Sequence, residues 1–225
     1  EAPAASAGPS AAPSFAPWLA TYALSGFIAL GLEIVWFRLL GVMLKSNAFT
    51  FAVLLCLYLL GVGGGTLLGL RGAPSCRQPA RRFLLLQAGV TLYAGVSLAL
   101  LVRLVGEWGA LDPIYNHFAR GRPMSFPFAL ADVTREFVLL YGVIGPLLIL
   151  PPTLLMGASF PYLQKASQTD LARLGRRVGW LQTANILGAT VGVVVVGALL
   201  LGWLGTPGTL RVMIGLGLVF LLLWW

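Results

Sequence analysis

Six apolar stretches recur along this chain, separated by polar segments, and they constrain its fold more than any other feature. A bilayer core is ~30 Å thick, so at a rise of ~1.5 Å per residue a helix crossing it needs ~20 largely apolar residues. The stretches 18–40, 48–70, 83–102, 137–160, 178–203 and 210–225 meet or approach that length. With 58% hydrophobic residues, 10% charged residues and a mean hydropathy of +0.89, the chain falls outside the usual globular range. The reading is an all-α, polytopic transmembrane helix bundle of about six spans.

Residues 1–17, rich in Ala, Pro, Ser and Gly, cannot bury a core and read as a flexible tail. The chain starts at Glu1, without the basic leader of a signal peptide. The sixth span is short and ends at Trp225 with no polar flank, so the natural chain is expected to continue past residue 225.

A formal charge of +8 would suggest a nucleic-acid partner in a soluble protein, but here the basic residues cluster between apolar spans. They read as orientation signals and contacts to anionic lipid headgroups, which excludes nucleic acid and makes the bilayer the first partner. Arg71, Arg77, Arg81 and Arg82 occupy one loop, and Lys165, Arg173, Arg176 and Arg177 another on the same side as the N-terminus. The positive-inside rule then places both termini in the cytoplasm.

Residues 103–136 mix charges with Trp108, Tyr115, Phe118, Phe126 and Phe128 and read as an interfacial cap. In the fourth span, Pro146 and the pair Pro151-Pro152 each remove a backbone donor, which predicts a hinge or break at Pro151-Pro152. Gly205-Thr206-Pro207-Gly208 reads as a tight turn into the sixth span.

Gly61-Val62-Gly63-Gly64-Gly65 has the composition of a phosphate-cradling loop but lacks the preceding strand and the downstream acidic residue. Gly61, Gly65 and Gly69 instead share one helical face, as do Ala184, Gly188 and Gly192 in the fifth span. Such faces suit close helix contact in lipid, so the two helices are expected to meet each other or a protein partner.

The first span alone carries ionisable groups well inside it, Glu33 and, nearer its end, Arg38. Arg38 can snorkel to the interface, whereas Glu33 stays deeper, where a charge costs ~2.5 kcal/mol or more. Glu33 is thus either a proton or cation site or a buried polar clamp that fixes helix register. Gln182, Thr183 and Asn185 open the fifth span as neutral polar partners, so Glu33, Arg38, Gln182 and Asn185 form the candidate intramembrane polar site. His117 has no second ligand near it, Cys56 and Cys76 form no CxxC pair, and no metal site, cofactor site or catalytic constellation is legible.

Two stretches resemble the bacterial multi-pass membrane proteins related to spermidine synthase, in which a transporter-like membrane half precedes an aminopropyltransferase-like half. The first is Gly31-Leu32-Glu33-Ile34-Val35-Trp36-Phe37-Arg38, similar to that family's Gly-x-Glu-x-x-Trp-x-Arg opening, followed by the glycines at 61–69. The second is Gly157-Ala158-Ser159-Phe160-Pro161, then a basic loop and Ala184-Asn185-Ile186-Leu187-Gly188; Gln182 stands where relatives carry Tyr. The resemblance implies a bacterial cytoplasmic-membrane location and a soluble half that would bind decarboxylated S-adenosylmethionine and a polyamine, none of whose catalytic residues lies in this segment. It makes the chain the non-catalytic anchor or scaffold of such a protein. A structural accessory subunit of a larger membrane complex and a transporter of a small cation or polyamine are the alternatives.

Overall fold

A computed structural model describes residues 15–44, 48–106, 140–168 and 174–225, and every element in these segments is helical. Helix α1 is Ala16–Leu44, α2 Ala48–Gly72, α3 Pro79–Gly106, α4 Gly145–Ser167, α5 Leu174–Trp203 and α6 Gly205–Trp224. All six contain a window long and apolar enough to cross a membrane, so the chain reads as a multi-pass membrane protein. Each lies over an apolar stretch of the sequence, and most extend a turn further.

Continuity of α4 through Pro151-Pro152 is the first departure from expectation: no break occurs there. A proline at position i leaves the carbonyl at i−4 without its donor, and neighbouring side chains supply replacements. The Tyr93 hydroxyl donates to Leu147 O, which Pro151 frees, at 2.7 Å, and the Thr66 hydroxyl reaches Gly157 O, which Pro161 frees, at 3.4 Å. The irregular backbone lies two to three turns earlier, in a π-helical turn at Leu140–Ile144. A second π-helical segment, Val195–Leu200, sits within α5 and presents Val196 to Gly31 of α1. The turn into α6 is shorter than the sequence suggests: Gly205, at φ 64°, already begins the helix, and Pro207 sits in its first turn, where its missing N–H costs nothing.

The two glycine faces do not meet each other. A Cβ at Gly61, Gly65 or Gly69 would run into Thr153, Leu154 or Ala158 of α4, so α2 lies directly on α4. A Cβ at Gly188 or Gly192 would run into the backbone of Ala23 or Phe27, so α5 lies on α1. Both faces are therefore filled within the chain. Without side chains between them the backbones approach closely enough for dispersion to accumulate, the contact that holds helices together where lipid removes the hydrophobic drive.

These two seams share one register. On α1 the contact residues are Ala23, Gly26 and Phe27, and on α4 they are Leu154, Gly157 and Ala158, in each case 131 positions later. Across from them stand Asn185, Gly188 and Gly192 on α5 and Val62, Gly65 and Gly69 on α2, each pair separated by 123 positions. Helix α1 is thus to α5 what α4 is to α2. Contact order along each seam rises on both helices together, so both pairs run parallel.

The remaining helices, α3 and α6, pack antiparallel through Phe83 and Phe220, Thr91 and Gly217, and Gly95 and Ile214. Helix α3 also packs on α4, and α6 on α1. A unit of three spans ends on the opposite side of the membrane from where it starts. The shared register makes α1 and α2 equivalent to α4 and α5, the pattern that an inverted repeat produces.

Candidate functional site

Between the α1–α5 pair and the α2–α4 pair the helices touch only sparsely, α1 meeting α2 and α4 at a few positions. Glu33 lies on this boundary. It is half-buried, it is the only carboxylate among the described residues, and it makes no hydrogen bond or ion pair with any of them. Tyr58 of α2 lies within electrostatic reach of Glu33 and of Tyr22. One helical turn beyond Glu33, Trp36 is fully enclosed, and its indole N–H meets no acceptor among the described residues.

Aromatic pairs cross the boundary at both ends. Towards the basic loops, Tyr22 of α1 stacks on Phe160 of α4 with ring centroids 5.5 Å apart and planes 16° from parallel. At the other end Phe37 of α1 meets Phe51 of α2 edge to face, 6.0 Å apart. By helix rise, Glu33 is ~16 Å from the first α1 ring and ~6 Å from the second. Tyr22 is buried, whereas Phe37 and Phe51 are exposed.

The structure gathers only part of the polar site expected from the sequence. Arg38 and Gln182 are exposed and meet neither each other nor Glu33. Asn185 packs onto α1, where its Nδ2 donates to Tyr22 O at 3.2 Å, about three turns of helix away from Glu33. It braces the α1–α5 seam. Tyr58 and Tyr22 escaped sequence reasoning because a lone tyrosine in an apolar span carries no periodic signal. The aromatic cap at 107–136 and His117 lie outside the described residues.

The basic loops end in a second arrangement. Lys165 Nζ donates to the carbonyls of Ala73, Pro74 and Cys76 at 2.8–3.0 Å, fastening the end of α2 to α4. Arg177 of α5 donates to Ser167 O at 2.6 Å and lies over the Phe15 ring, 5.3 Å from its centroid. A cation at a helix C-terminus answers the unpaired carbonyls there and the negative end of the helix dipole.

No protein-family profile, curated protein or solved structure matches this chain.

Proposed function

We propose that the chain is a membrane transport module for a small cation, working as two glycine-sealed helix pairs, α1–α5 and α2–α4, that move against each other about Glu33. The observation that carries this reading is the repeated seam register together with a lone, unpartnered carboxylate on the boundary between the paired helices. In transporters built from inverted repeats, substrate sites lie at the repeat interface and access alternates as one body rocks against the other. Seams tightened by glycine suit rigid bodies, and a sparse boundary suits motion between them. An intramembrane carboxylate with no protein partner calls for a cation.

Labelling of Tyr58→Cys in a Cys56→Ala, Cys76→Ser background tests the reading. In sealed vesicles of both orientations, a membrane-impermeant thiol reagent is expected to modify that cysteine from either side. Modification from one side only, or from neither, would overturn it.

The second reading, the membrane anchor of a spermidine-synthase-like protein, draws on the resemblance and on the basic end, where Lys165 and Arg177 fix the loops as a platform for a soluble half. Aminopropyltransferase activity in the purified natural protein would favour it. The third reading, an accessory subunit of a larger membrane complex, would use surfaces other than Gly61, Gly65, Gly69, Gly188 and Gly192, which face helices of this chain.

A further inference from the structure

Resting on the transport reading, we infer that the boundary seats one monovalent organic ammonium ion at Glu33, and not a polyamine, along α1 between the ring pairs Tyr22–Phe160 and Phe37–Phe51. Charge sets the valence. Glu33 is the only carboxylate among the described residues, and the position 131 residues later in the inverted unit is the neutral Gln164. The repeat thus supplies one negative charge where a symmetric site would supply two. A polyamine held by one carboxylate would leave its other ammonium groups uncompensated at a depth where each costs ~2.5 kcal/mol or more.

The surroundings set the chemistry. Hard metal cations recruit about six or more oxygen ligands. Here Glu33 has Tyr58 within electrostatic reach and the Phe37–Phe51 ring pair one turn along α1. Aromatic faces attract weakly hydrated ammonium ions through the ring quadrupole, by ~0.5–2 kcal/mol each.

Equilibrium dialysis of the full chain in detergent micelles against radiolabelled tetramethylammonium tests the inference. Saturable binding of one ion per chain is expected. Glu33→Gln should weaken it about tenfold or more, as loss of a desolvated charge partner does, while Glu33→Asp, which keeps the charge, should retain it. Spermidine should compete no better than tetramethylammonium. The inference is overturned if no saturable binding occurs, if Glu33→Gln binds as wild type does, or if spermidine displaces the probe at much lower concentration. The two readings fail separately. Two-sided labelling at position 58 without ammonium binding removes the ligand and leaves transport, whereas Glu33-dependent binding with one-sided labelling leaves a receptor that does not transport.

Discussion

Helices α1–α3 and α4–α6 share a scaffold and differ in what they hang on it. Each half contributes one helix to each of two parallel pairs, and both pairs close over glycine contacts at the same register, with Gly26 and Gly188 in one seam and Gly157 and Gly65 in the other. Polar content does not repeat. Glu33 in α1 corresponds to Gln164 in α4, Asn185 in α5 corresponds to Val62 in α2, and the prolines at 151 and 152 of α4 correspond to Ala20 and Thr21 of α1. Backbone packing is thus common to both halves, while the group that calls for a ligand belongs to one. The difference teaches that the repeat builds the machine and that Glu33 alone gives it a charge to work with.

The equivalence of the seams can be broken most severely by filling them. Gly65→Leu and Gly188→Leu each force a side chain into the backbone of the facing helix. Overpacking costs ~1–3 kcal/mol where neighbours can yield, and these sites should reach or exceed the upper figure. Both variants are expected to lose most of the monodisperse protein in size-exclusion chromatography, to similar extents. A strong effect in one seam only would break the repeat.

The asymmetry is sharpened by Glu33→Gln. A clamp that fixes helix register would lose stability on this change. An unpartnered carboxylate should instead leave the protein as stable or raise its stability by ~1 kcal/mol, since an intramembrane charge is costly. Thermal unfolding in detergent reads the sign.

A smaller effect is expected from Tyr93→Phe, which deprives Leu147 O of the donor standing in for Pro151. Loss of that bond should cost ~1 kcal/mol and speed amide exchange in the first turns of α4, with no counterpart change in α1, which lacks the prolines. Smallest of all, Asn185→Val makes the α1–α5 seam resemble its partner. Interhelical hydrogen bonds in membranes are worth ~0.6 kcal/mol on average, so the thermal shift should be close to that, and a loss several times larger would make Asn185 a principal determinant of the seam.

The apolar runs made the six helices legible, with ends near those observed, because length and hydropathy are local properties. The small-residue faces at Gly61, Gly65 and Gly69 and at Gly188 and Gly192 were legible as contact surfaces for the same reason. Their partners were not, since a glycine face accepts any closely approaching backbone and does not say which. The inverted repeat stayed hidden because its equivalent contacts pair unlike residues, Ala23 with Leu154 and Val62 with Asn185. The shared signals are a Gly-x-x-x-Gly step in spans two and five, Gly65 to Gly69 and Gly188 to Gly192, and the single glycines Gly26 and Gly157 in spans one and four. The break at Pro151-Pro152 was expected because proline's local cost is visible in sequence, while the hydroxyls of Tyr93 and Thr66 that offset it come from other helices. Glu33 stood out as the one deep charge; its lack of a partner is a property of the fold.

Movement of the α1–α5 pair against the α2–α4 pair is the claim on which the account turns, and double electron–electron resonance measures it most directly. Spin labels at Ala20 and Leu70 report the basic end of the boundary, and labels at Arg38 and Ala52 report the other. The account predicts two distance populations for each pair in proteoliposomes, with tetramethylammonium shifting the two ends in opposite senses. A single narrow distance at both ends, unchanged by the ion, would contradict it.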